Sequence, residues 1–308
     1  MRQVTFLIPG SPNEAFFSQV SAFSKAVKLV NWERWRPTVR AIFGGYFDIA
    51  AFSRWQPFLS DVECMFLSPD RTKRDGYFAQ GDTRFLAAPH DADVVVLSDA
   101  DTLIVSNIED ALDQVAKQNA IAGCIAHFGF PVEQGHSQKS DWDRIAQQTG
   151  LEPLRFEHSY SLADRASPPE ALLCPFYINF GVVFVSQDAL RRIKYPYLDL
   201  RRDLAGNLYN KYFSGQVALA LCASELRIQT IELPLRFNFP NDTLAETLHP
   251  NELNHVRIIH YLRTTYFDRQ KIFISRSEYS NFLSKRLTGS NKILQTYIRE
   301  AFGPQYPF

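Results

Sequence analysis

The run Ala92-Asp93-Val94-Val95-Val96-Leu97 gives way within two residues to a pair of carboxylates, Asp99 and Asp101. A strand that is apolar at successive positions has no face to offer water, so it belongs inside a sheet covered on both sides. Covered sheets are made by chains that alternate strand and helix, and this chain alternates. Val4 to Ile8 reads as a strand closed by the turn residues Pro9-Gly10-Ser11-Pro12. Residues 13–30 carry helical apolar spacing at Phe16, Phe17, Val20, Phe23, Ala26, Val27 and Val30. Val39 to Phe43 is a second strand, stopped by Gly44-Gly45, and Val62 to Leu67 a third. A helix passes through Thr83 to Leu86. Behind the acidic pair comes a helix from Ile108 to Lys117, with Ser106 or Asn107 as its cap, and then a strand from Ile121 to Ala126. Later elements are a strand at Phe180 to Val185, a helix from Gln187, a helix from Ser214 to Leu226, a strand at Val256 to Ile259, and C-terminal helices between Ser277 and Phe302 broken near Gly289. The expected fold is α/β, with a mostly parallel central sheet flanked by helices and ligands bound beyond the carboxyl ends of the strands.

No linker and no internal repeat divides the chain. We expect one catalytic domain over 1–275 and a C-terminal helical extension over 276–308. Residues 129–175 lose the regular pattern and read as an acceptor-side insert with one short helix at Asp141 to Thr149. Its Trp142, His158 and Tyr160 are expected near the acceptor. The 33 basic and 33 acidic residues cancel and no basic block occurs, which argues against nucleic acid as the partner. Cys64, Cys124, Cys174 and Cys222 are far apart and without metal-ligand spacing, as expected of free thiols in a reducing compartment. No signal-like or membrane-spanning run is present. The expected location is cytoplasmic, with peripheral membrane contact left open.

Asp99 and Asp101 carry the chemistry. In extended backbone, residues i and i+2 point to one side, so both carboxylates can reach one object at the strand's end. Two anions so placed disfavour each other's ionisation, and a divalent cation removes the conflict. Mg²⁺ and Mn²⁺ take oxygen ligands and bridge carboxylates to phosphate oxygens. The plain alternative, a pair of turn aspartates, is weakened by their position directly behind a buried strand.

The stretch from Ala92 to Leu112, with Thr102-Leu103-Ile104-Val105 behind the acidic pair, resembles the D-x-D segment of GT-A-fold glycosyltransferases. The likeness is greatest to the glycogenin and galactosyltransferase-like retaining group. Four further segments match in order: Gly81-Asp82-Thr83-Arg84-Phe85, Ile178-Asn179-Phe180-Gly181-Val182, Gly215-Gln216-Val217-Ala218-Leu219, and Val256-Arg257-Ile258-Ile259-His260-Tyr261. The resemblance implies a metal held by Asp99, Asp101 and His260, with Mn²⁺ or Mg²⁺ as cofactor. It implies a nucleotide-sugar donor, a UDP-sugar in that group, lying against Phe6, Ile8, Pro9, Gly10, Arg84, Ser98, Asp99 and Ala100. Asn179 and Gln216 would contact the sugar. The group's Asp before that glutamine is Gly215 here. Its Gly and Lys-Pro-Trp after the histidine are absent, so Arg263 or Lys271 is expected to meet the diphosphate.

The resulting expectation is a metal-dependent hexosyltransferase acting on a glycan, small-molecule or protein acceptor, with retention. Inversion would need a carboxylate base, for which Asp242 is the candidate. Two other classes compete. A non-catalytic nucleotide- or glycan-binding module would keep the fold without a competent metal site. A sugar nucleotidyltransferase would need a Gly-rich, Arg-containing loop after the first strand, which Pro9-Gly10-Ser11-Pro12-Asn13 does not provide. No G-x-G-x-x-G supports a dinucleotide oxidoreductase.

Overall fold

The computed structural model describes residues 1–76, 79–163, 172–304 and 306–307. In chain order its strands are β1 (Arg2–Gly10), β2 (Trp35–Phe43), β3 (Val62–Phe66), β4 (Val94–Ser98), β5 (Thr102–Ile104), β6 (Ile121–Ile125), β7 (His158–Ser159), β8 (Leu173–Cys174), β9 (Ile178–Ser186), β10 (Thr230–Glu232), β11 (Phe239–Pro240) and β12 (Ile258–His260). Seven of them form the central sheet in the order β10-β6-β9-β4-β1-β2-β3. All run parallel except β9, which pairs antiparallel with both β4 and β6. The start of β9, and with it Asn179 and Gly181, therefore lies at the sheet edge where the other strands finish.

Every residue of β4 is buried, as its composition requires. Val94 and Val96 join one apolar cluster, with the helix Glu14–Leu29 and the C-terminal helices. Val95 and Leu97 join the other, with the helices Gln187–Asn207 and Ser214–Glu225. The period-two alternation of one short strand thus faces both layers. Tyr279, Phe282, Leu294 and Ile298, from the helices Arg276–Ser284 and Gly289–Tyr297 and the turn after them, pack into the same cluster as β1.

Two expectations are corrected. The late strand, read over Val256 to Ile259, forms only at Ile258–His260. It is β12, in a separate three-stranded sheet of order β11-β12-β5, where it runs antiparallel to β5. The helix Glu109–Gln118 has Ile108 at its cap position, while Asn107 Oδ1 accepts the Glu109 N–H at 2.8 Å and Ser106 Oγ instead accepts from Arg257 at 3.0 Å. The four cysteines are free. Among the described residues, no helix is long and apolar enough to cross a membrane.

Candidate active site

A cleft of about 890 Å³ opens at the carboxyl edge of the sheet and contains Asp99, Asp101 and His260 in its wall. The acidic pair does not continue the strand. Residues 99–101 make a tight turn from β4 into β5, and main-chain bonds fix that turn. The Asp99 N–H donates to Gly181 O at 2.9 Å, and the Tyr261 N–H to Asp101 O at 3.0 Å. Thr102 Oγ1 donates to Asp99 O at 2.8 Å. The two carboxylates converge because the turn is held from both sides, rather than through i, i+2 alternation. His260 lies opposite Thr102 in the β5–β12 register, which sets its ring beside Asp101. One ligand atom from each of Asp99, Asp101 and His260 lies within 4.8 Å of the others.

The state of His260 is set by its neighbours. The Gly181 N–H donates to Asn179 Oδ1 at 2.8 Å, which orients that amide. The same oxygen accepts from Asn238 Nδ2 at 3.0 Å, so Asn238 turns its Oδ1 to His260 Nδ1, also at 3.0 Å. Nδ1 therefore carries a proton, and Nε2 is left facing Asp101 Oδ1 at 3.4 Å. A cation between Nε2 and that carboxylate oxygen, a proton or a metal ion, satisfies both atoms. A hydrogen-bonded distal nitrogen is the usual support of a metal-bound histidine. This donor set fits a divalent cation.

Arginines balance the acids. Arg84, 5% exposed, sets Nη1 3.5 Å from Asp99 Oδ1, and its Nε finds no partner among the described residues. Arg269 Nη1 donates to Asp101 Oδ2 and, at 3.1 Å, to Leu262 O. Burial pushes the Asp99 carboxyl above its usual range, only partly offset by Arg84. Burial acts on Asp101 as well, but the His260 ring and Arg269 outweigh it and hold that carboxyl below the usual range.

Pro9, Gly10, Arg84, Asp99, Ala100, Asn179, Gln216 and Arg263 also line the cleft. Several candidates do not. Phe6 and Ile8 are fully buried on the helix-covered face of β1, because alternation directs them into the core. Ser98 is buried and bonds Thr102 Oγ1 at 2.8 Å behind the turn. Lys271 lies outside the wall, its ammonium 3.7 Å from Asp268. Asp242 caps the helix Thr243–Leu248 and receives Arg263 Nε at 2.8 Å, outside the lining. Trp142 and Tyr160 pack with Tyr177 in the core, and His158 pairs with Glu232 at 2.7 Å. The insert instead meets the cleft near its start, through Gly129 and Pro131, next to His127 and Phe128; its residues 164–171 lie outside those described. At Gly215 a β-carbon would stand 3.0 Å from Tyr197 Oη and 3.1 Å from Phe180, so aromatic side chains take the space an acidic side chain would need.

Asn238, Arg269 and His127 were not found from sequence. Asn238 had a signal, since it stands in Phe237-Asn238-Phe239, a polar residue between apolar ones that is 0% exposed. His127 is 7% exposed, and burial, with the charges of His260 and Arg263, pushes its pKa down to about 3.

The architecture recurs in known proteins. The galactosyltransferase LgtC, solved with donor and acceptor sugar analogs, aligns over 84% of this chain and 87% of its own, at TM-score 0.51 and 15% identity. An active-site mutant of LgtC aligns over 98% and 100%, at 0.52 and 13%. The bifunctional glycosyltransferase WbbM aligns over 85% of this chain and 46% of its own, at 0.50 and 11%. The chain has the GT-A glycosyltransferase fold. No protein-family model matches the sequence, and no curated protein matches it. At these identities the likeness is one of fold, and function has to be argued from the site.

Proposed function

We propose that this protein transfers a sugar from a nucleotide-diphosphate sugar, a UDP-sugar in the reading we favour, to an acceptor hydroxyl. The observation that carries this is the convergence of Asp99, Asp101 and His260 in the cleft at the carboxyl edge of a GT-A-type sheet. These three would hold Mn²⁺ or Mg²⁺, which when bound stabilises the charge that develops on a departing diphosphate. The protein's own groups do the rest. Arg84, Arg263 and Arg269 supply fixed positive charge along the wall, and the turn at Pro9-Gly10 borders the nucleotide. Asn179 and Gln216 offer polar groups to the sugar. Asn179 Oδ1 is already engaged by two donors, so its amide nitrogen is the group free to meet a sugar oxygen.

Retention is the favoured outcome. No carboxylate stands at Ser214-Gly215-Gln216, and Asp242 is occupied by its helix cap and by Arg263. The one carboxylate that the sequence offered as a general base for direct displacement is therefore already engaged. The four free thiols suit a reducing compartment.

Calorimetry of UDP binding with and without Mn²⁺, on the wild type and on Asp101→Asn, tests the reading. We expect Mn²⁺ to strengthen UDP binding in the wild type and to have no effect in the variant. Equal affinities in all four titrations, with both proteins folded by circular dichroism, refute it. Hydrolysis of a nucleotide-sugar by the wild type separates an enzyme from a binding module of the same fold.

A further inference from the structure

Each carboxylate of the candidate metal pair already has a cationic partner. Arg84 stands against Asp99 at 3.5 Å, and Arg269 donates to Asp101 Oδ2. The charge that the two carboxylates would present to an arriving cation is thus already offset by two guanidinium groups. The Arg269 main chain is tied down, since its carbonyl accepts from Gln19 Nε2 at 3.2 Å. The side chain is not confined in the same way. It is 35% exposed and lines the cleft, and Nη1 alone makes its hydrogen bonds to described residues. A guanidinium carries five donors in a planar fork that matches phosphate geometry, so most of its hydrogen-bonding capacity is unspent while it sits on Asp101.

We propose that Arg269 is the diphosphate-binding arginine of this cleft, and that it couples diphosphate and cation by partially neutralising Asp101 until a diphosphate arrives. The inference rests on the metal and nucleotide reading above. In the free protein, Arg269 offsets the charge of Asp101 and weakens capture of a bare divalent cation. A diphosphate gives the guanidinium a second anion to bind, restores the negative charge that the cation needs, and so makes each ligand strengthen the other. Such coupling is reciprocal by linkage. The site thereby selects a cation–diphosphate pair over either component. Arg84 takes the corresponding position on Asp99, but it is buried and has less room to change partner.

The test is titration of MnCl₂ alone, UDP alone, and UDP at saturating Mn²⁺, by calorimetry and by the Mn²⁺ electron-paramagnetic-resonance signal. It is run on wild type, Arg269→Gln and Arg269→Lys. In Arg269→Gln we expect bare Mn²⁺ to bind roughly tenfold more tightly, and the mutual enhancement of Mn²⁺ and UDP to fall by a similar factor. Arg269→Lys, which keeps the charge, should leave bare Mn²⁺ binding within about threefold of wild type. Bare Mn²⁺ binding that is unchanged or weaker in a folded Arg269→Gln overturns the proposal, as does Arg269→Lys behaving like Arg269→Gln. A wild type in which Mn²⁺ never affects UDP binding ends the proposed function itself. A wild type with coupling that Arg269→Gln leaves intact ends only this inference.

Discussion

The ring of His260 lies directly against the α-carbon of Gly181: a β-carbon at that position would stand 2.3 Å from Cε1 and 2.4 Å from Nδ1. Nothing in the backbone angles of Gly181 demands glycine. The requirement comes from the imidazole that passes over it, and so from the candidate metal site. Gly181→Ala must displace the ring or the strand. We expect a folded protein, destabilised by about 1–3 kcal/mol through overpacking, in which Mn²⁺ no longer strengthens UDP binding. Calorimetry beside a urea titration reads both effects, and normal Mn²⁺-dependent binding in the variant would contradict this account of the site.

Asn238 should matter nearly as much as the ligands without touching the ion. Its Oδ1 accepts from His260 Nδ1 and leaves Nε2 as the ring atom that faces Asp101. Asn238→Ala frees the ring to rotate and to exchange tautomers, and the loss of such a support typically costs about 10–100-fold in metal affinity. Mn²⁺ affinity measured in the presence of UDP is the check, and a change under twofold would remove Asn238 from the site's design.

His127 predicts an acid limit to stability. Its folded pKa of about 3 lies below the unfolded value of about 6.5. Between these values the unfolded chain binds the extra proton, so stability falls as pH drops below the unfolded value and this loss is complete near the folded one. By pH 5 the residue alone should have cost about 2 kcal/mol relative to pH 8. Denaturant titrations of wild type and His127→Phe at pH 8 and pH 5 should show a smaller pH loss in the variant. Identical losses would mean that the ring does not stay neutral in the fold.

Asp82 holds the helix Ala79–Leu86, which carries Arg84, against the helix Gln187–Asn207. Its carboxylate pairs with Arg201, and both side chains are under 10% exposed. Asp82→Ala leaves a buried guanidinium without that carboxylate, a change expected to cost about 3–5 kcal/mol. A loss under about 1 kcal/mol in a urea titration would show that the pair is not sealed from water.

The parts of this protein that were legible in its sequence are those that short-range rules govern. Val94 to Leu97 announces a strand covered on both faces, and Asp99, Asp101 and His260 each stand where an apolar strand ends. Errors begin where position depends on a partner far along the chain. The resemblance puts Phe6 and Ile8 beside the nucleotide, but alternation faces both into the core. The inverted direction of β9 leaves no mark in an apolar strand's composition, yet it brings Asn179 and Gly181 to the cleft. Lys271 and Arg269 are two residues apart in an irregular turn, where no periodicity says which one points inward. Asn238 acts only through a small sheet assembled from three distant segments.

That small sheet also sets an order of assembly during synthesis. The acidic turn leaves the ribosome early, but the strand that lies against it, bearing the imidazole, follows only after most of the polypeptide has been made. A nascent chain halted before Ile258 holds two carboxylates with neither their third ligand nor the bond from Tyr261 that pins their turn. Pairings of such sequence separation form late. The cluster of Asp99, Asp101 and His260 therefore exists only once the polypeptide is nearly complete.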